Sequence, residues 1–162
     1  MLGVRKRIAM GLSLEFYSGD RDAIAEAVRE VDFDRFDDAA VVTRRADLSL
    51  HISPRDLDLL SQACAKTSGR EAMNLSANLS GLIDEEDRGA LVVDPTWVAY
   101  IAAVPDGTSA VIAEYWAEAM RTEYQDPEIH VNDDLLRRVS DLIELCKTAH
   151  QSGENVTHVW YL

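Results

Sequence analysis

Apolar residues recur along this chain with two alternating periods, and the switches between them divide it into elements. Ile8, Met10, Leu12, Leu14 and Phe16 alternate with Ala9, Gly11, Ser13, Glu15 and Tyr17, the two-residue period of a half-buried strand. Ser18-Gly-Asp then opens a helix to about Val31, with Asp20 as N-cap and Ile24, Val28 and Val31 on its inner face. The run DFDRFDD (32–38) reads as an acidic loop whose Phe33 and Phe36 plug the edge of the core. Ala39 to Thr43 and Ala46 to Ile52 read as two strands around a tight Arg44-Arg45 connection. In the second of them Leu48, Leu50 and Ile52 face one way, and Asp47, Ser49 and His51 the other.

Ser53-Pro54-Arg55-Asp56 is a helix start, with a capping serine, a proline in the first turn and an acid three residues on. Leu57, Leu60, Ala63 and Cys64 form its inner stripe, and Ser68-Gly69 ends it. Residues 70–83 fit both periods. The unbroken alternation of Met73, Leu75, Ala77 and Leu79 with Asn74, Ser76, Asn78 and Ser80 favours a strand, since Asn and Ser are indifferent helix formers. DEEDRG (84–89) is a turn and Ala90 to Val93 a short return strand.

Asp94-Pro95 caps a helix with Trp97, Val98 and Ile101 inward, ending before Pro105. After the Asp106-Gly107 turn a second helix runs from Thr108 or Ser109 to about Tyr124, and two helices so briefly linked are expected to lie as a hairpin. Beyond Asp126-Pro127 comes a long amphipathic helix with Leu135, Val139, Leu142, Ile143, Cys146 and Ala149 along one stripe. Gly153 stops it, and Val156 to Leu162 is a strand dense in β-branched and aromatic residues. The order βαββαββαααβ predicts an α+β fold: a largely antiparallel sheet with about five helices packed on one face.

The 162 residues, 47% hydrophobic and 28% charged, suit one folded domain, with no apolar run near the length of a membrane span. Residues 1–9 read as a disordered upstream extension, with Met10 the expected start and 10–162 the domain. Arg5, Lys6 and Arg7 precede an apolar stretch that is too short and too alternating for an export signal, and no cleavage site follows it. The expected location is therefore a reducing cytoplasm, with Cys64 and Cys146 as buried thiols. The preference for 13 Arg over three Lys reflects a bacterial-like genome composition rather than phosphate recognition.

A net charge of −13, from 29 acids against 16 bases, argues against nucleic-acid binding. Acids concentrate between Glu15 and Asp38 (nine acids, three bases) and between Glu114 and Asp134 (seven acids, one base). Such runs suit a solvated surface or a docking face for a basic partner.

Phosphate-binding glycine loops, zinc signatures, the nucleophile elbow and CxxC are absent, and no cofactor or metal is expected. DFDRFDD is not a calcium loop, because Asp37 and Thr43 stand where such a loop needs Gly and Glu. His51 and His158 fall in predicted strands and could meet beside a carboxylate, which would make an acid–base site assembled only in three dimensions. Tyr100 and Tyr115 are candidates for a partner-facing patch. Trp160 and Tyr161, on opposite faces of the last strand, are candidates for binding or, if that strand is an edge, for pairing with a second copy. The reading that follows is a small acidic protein-binding module, of which an immunity-type role is one form, with the carboxylate–histidine enzyme as alternative.

Overall fold

The computed structural model describes residues 13–49 and 54–162. The expected start at Met10, the extension before it, the strand positions Ile8 to Leu12, and His51 all lie outside the described residues. Strand β1 spans Ser13–Gly19, helix α1 Arg21–Glu30, β2 Val42–Asp47, α2 Pro54–Ser68, β3 Leu79–Asp84 and β4 Arg88–Val93. Helices α3 (Pro95–Ala102), α4 (Ser109–Tyr124) and α5 (Asp133–Ser152) then lead to β5, Asn155–Tyr161. The five strands form one antiparallel sheet in the order β2-β1-β5-β4-β3. The α+β class is as the residue pattern predicts, and so is the order of elements, save that one described strand, β2, stands between α1 and α2.

Local chemistry sets the element ends. The Asp20 carboxylate accepts from the N–H groups of Asp22 and Ala23, and Asn132 accepts from Leu135, so both helices begin with a satisfied cap. Gly153, at φ 71°, ends α5 by donating to Ala149, a left-handed turn glycine takes without strain. The α5 stripe from Leu135 to Ala149 is buried throughout.

Strand pleating divides the core in two. Leu14, Phe16, Val93 and Val156 point to one face, under α2 to α5. Tyr17, Ile83, Ala90 and Val159 point to the other, where α1 lays Ile24, Ala25, Ala27 and Val28 against them with Phe36 and Val41. The sheet is thus covered on both faces rather than one, because α1 follows β1 on the side of Tyr17. For the same reason β1 is buried on both faces, Glu15 and Tyr17 included.

Four further expectations change. Residues 39–49 carry one strand with no turn at Arg44-Arg45: β2 runs through both residues as an edge strand and leaves both exposed, while Leu50 to Ile52 lie outside the described residues. Val31 is not inward; it is the left-handed C-cap of α1 and 56% exposed. Residues 70–78 are not strand, since Leu75–Asn78 form a 3-10 turn. There the buried Asp58 carboxylate takes the Ser76 N–H and hydroxyl at 3.0 and 2.7 Å, and the Met73 carbonyl accepts from Trp97 Nε1 at 3.1 Å. Those bonds divert backbone groups that a ladder would need. Finally, α3 and α4 do not lie as a hairpin. Helix α3 packs on α5, and α4 packs on α2, where Trp116 Nε1 donates to the Asp56 carbonyl at 2.7 Å.

Candidate protein-binding face

On the outer side of α1 the sequence leaves its polar positions in water: Asp22, Glu26 and Glu30 are exposed, and so are Asp32, Asp34, Asp37 and Asp38 on the 3-10 turn that follows (Phe33–Asp37). Neutralisation is partial. Arg35 lies 3.8 Å from Glu26 and 3.5 Å from Glu30, and Arg21 3.1 Å from Asp22.

A second acidic run joins this one through a single side chain. Arg88 Nε donates to the Val28 carbonyl at 2.9 Å and Nη2 to the Arg29 carbonyl at 3.2 Å, while Nη1 lies 2.7 Å from Asp87. A guanidinium suits the free carbonyls at a helix C-terminus, both by hydrogen bonding and by the helix dipole. Its bonds hold the start of β4, and with it the exposed acids of the turn before it, at the C-terminal end of α1, which carries exposed Glu30. Acids more than fifty residues apart in sequence therefore share one surface. The acids between Glu114 and Asp134 lie on the helical side, and several are paired there: Glu123 with Arg55, and Asp134 with Arg137 and Arg138.

Of the four aromatic candidates only Tyr161 borders this face. Its ring stacks on Phe33 at 5.2 Å, Phe33 on Phe36 at 5.7 Å, and the next residue, Leu162, donates its N–H to the Asp87 carbonyl at 2.8 Å. Trp160 is half-buried on the opposite face of β5, across from Gly89. Tyr115 is half-buried on α4 under Lys66, whose Nζ lies 4.2 Å from the ring centre. Tyr100 is only 7% exposed: its hydroxyl donates to the Ser61 carbonyl at 3.1 Å and the Arg70 guanidinium covers its ring at 4.2 Å. The expected Tyr100–Tyr115 patch is therefore not assembled. Strand β5 lies at the centre of the sheet, so the C-terminal strand offers no free edge to a second copy.

Directly behind the face is a polar cluster that the alternation alone does not announce. Glu15, 3% exposed, accepts hydrogen bonds from the Tyr17 hydroxyl, from Arg45 Nη2 at 2.8 Å and from the Tyr161 hydroxyl at 3.5 Å. Burial, then the neighbouring Glu15 charge, raises the Tyr17 phenol far above its ordinary range, so it stays neutral and acts as donor. The signal available in the sequence was Glu15 and Tyr17 on one side of a strand followed at once by an apolar helix stripe and two phenylalanines.

His158 does not make a carboxylate–histidine pair. It is 2% exposed, stacked on Phe16 at 4.9 Å, and its Nδ1–H donates to the backbone carbonyl of Glu15 at 3.1 Å, while the Glu15 side chain points to the other face. Burial pushes its pKa down to about 4, so the imidazole is neutral. Among the described residues no three His, Cys, Asp or Glu side chains are grouped to hold a metal ion, and no helix is long and apolar enough to cross a membrane. Cys64 and Cys146 are buried and unpaired, with burial raising both thiols, Cys64 to about 12.

No family model, no curated protein and no solved structure matches this chain.

Proposed function

We propose that this protein is a cytoplasmic binding module that captures a basic protein partner on the face formed by α1, the 3-10 turn and the β3–β4 turn. The observation that carries the reading is the Arg88 bond to the end of α1, which brings two acidic runs together. It supports a purpose beyond solubility, because scattered acids would serve solubility equally well. Like charges held side by side cost stability, and a partner of opposite sign recovers that cost on binding. Exposed Val31 and half-buried Phe33 and Tyr161 supply apolar contact within the acidic rim, the composition expected of an interface centre. An immunity-type role, neutralising a basic protein, is one form of this reading.

Affinity capture from lysate of the source cell tests it, using the full chain and a variant with Glu26, Glu30, Glu85 and Glu86 changed to Gln. The expected result is a basic partner retained at about 0.05 M salt, released by about 0.5 M, and lost with the variant. A partner held equally by both proteins, or none at low salt, overturns the proposal.

A further inference from the structure

We infer that the open edge of β3 receives an extended basic segment of a partner, which pairs with it as an added strand; this mode of capture rests on the acidic-face reading. Strand β3 is the last of the sheet beyond β4, with no further strand beside it among the described residues. The bonds at the two ends of its ladder set which backbone groups it turns outward. Asp94 N–H donates to the Asn78 carbonyl at 2.8 Å, and Glu85 N–H to the Arg88 carbonyl at 2.9 Å. Antiparallel alternation, counted inward from those pairs, points the N–H and C=O of Leu79, Gly81 and Asp84 away from β4.

The two edges of the sheet differ. At β2 the edge is guarded as natural edges are: Arg44 and Arg45 stand exposed, and Arg138 Nη1 donates to the Asp47 carbonyl at 2.5 Å. Strand β3 carries neither a charge nor a proline from Leu79 to Ile83. Ser80 and Gly81 are exposed, and a Cβ on Gly81 would meet nothing within 4 Å. Half-buried Leu79 and Leu82 pack at the margins of the two cores, so β-branched side chains of an added strand find apolar neighbours on either face. The register shift between Gly81 and Ile83 confines a regular added ladder to Leu79 through Gly81. So short a ladder needs further attraction, and charge supplies it. Strand β3 runs directly into Asp84, Glu85, Glu86 and Asp87, all exposed. A strand laid antiparallel on β3 brings its N-terminal flank to that turn, so the flank is where its Lys and Arg belong. A second copy of this chain would instead bring another net charge of −13. Main-chain bonds hold the partner, and the basic flank selects it.

The probe is a capped peptide, Arg-Lys-Arg-Gly-Thr-Val-Thr-Val, compared with the same peptide N-methylated at its last four residues. N-methylation removes the strand donors and keeps the charge. Both are titrated into the full-length isotope-labelled protein, and amide exchange is read residue by residue. The parent peptide is expected to slow exchange at Leu79 and Gly81 at least about tenfold, and the methylated one to bind at least about tenfold more weakly. Gly81→Pro removes one outward donor and leaves the β4 ladder intact, so it should weaken the parent peptide about tenfold. If that variant fails to fold, the methylated peptide on the unaltered protein still decides. Equal binding of the two peptides, binding without protection at Leu79 and Gly81, or no binding at about 1 mM overturns the inference and leaves the acidic face standing. Protection that appears without peptide as protein concentration rises assigns the edge to a second copy and overturns it likewise. Binding that discriminates against N-methylation yet is unchanged by Glu85→Gln and Glu86→Gln supports strand addition and overturns the charge reading, so the two proposals fail by different results.

Discussion

Arg45 Nη2 lies 2.8 Å from the carboxylate of Glu15, and the two side chains are unequally buried: 4% of Glu15 but 50% of Arg45 is exposed. Removing one partner is therefore not equivalent to removing the other. Arg45→Met strands a buried carboxylate, a loss of about 3 kcal/mol. Glu15→Gln leaves a guanidinium that water can reach, and retains an acceptor for the Tyr17 hydroxyl, a loss of about 1 kcal/mol. Urea denaturation should rank the variants in that order. The double variant should be more stable than Arg45→Met alone, since the uncompensated charge is gone. Equal losses for the two single variants would contradict the burial of Glu15.

His158 predicts a dependence of stability on pH. Its folded pKa is depressed to about 4 from 6.5, so between those values the unfolded chain binds a proton that the folded chain refuses. Stability from this residue is present above pH 6.5 and is lost as pH falls toward 4. At about 1.4 kcal/mol per pH unit the loss amounts to about 3 kcal/mol. His158→Phe keeps a ring against Phe16 and removes the titration. The stability difference between the original protein and the variant should shrink with falling pH, then level off near pH 4. A difference independent of pH across that window would mean the imidazole reaches water.

Much of the fold is written locally, and those parts are the legible ones. Asp20 and Gly153 act within four residues of themselves, and the α5 stripe buries one face whatever it meets. What a stripe does not encode is its destination. Ile24 and Val28 fit either face of the sheet; only their packing on Tyr17, Ala90 and Val159 selects the second one, and that choice buries Glu15. The acidic face depends on Arg88 reaching carbonyls of α1 some sixty residues earlier, a contact with no sequence period. Two adjacent bases at Arg44-Arg45 suggest a turn, whereas an edge strand exposes them equally well. In residues 70–78 the alternation is real, but Asp58 and Trp97 claim the backbone first.

Val31 holds a β-branched side chain at φ 58°, where the left-handed backbone crowds its Cβ, and the side chain is mostly in water. Nothing on the folded side offsets that strain of about 1 kcal/mol. Val31→Gly should therefore raise stability by no more than about 0.5 kcal/mol after the added flexibility of the unfolded chain is subtracted. If Val31 also provides apolar contact to a partner, the same variant should bind more weakly while melting higher. Calorimetry and affinity capture on the one variant separate the two effects.

Gly89 sits directly across β4–β5 from Trp160, and a Cβ added there would lie 2.2 Å from the indole Nε1. The indole covers the bare backbone of its glycine partner, an arrangement in which an aromatic compensates for a missing side chain. Gly89→Ala must displace the ring, at a cost of about 1–3 kcal/mol. Trp97 and Trp116 are fully buried with their N–H groups bonded, so a change in emission reports on half-buried Trp160. The expected signature is a red shift, as the ring swings into water, together with a lower urea midpoint. In the Trp160→Leu background Gly89→Ala should cost little further stability, because the clash and not the glycine's backbone freedom sets the cost. Additive losses in that cycle would place the origin in the backbone of β4 instead.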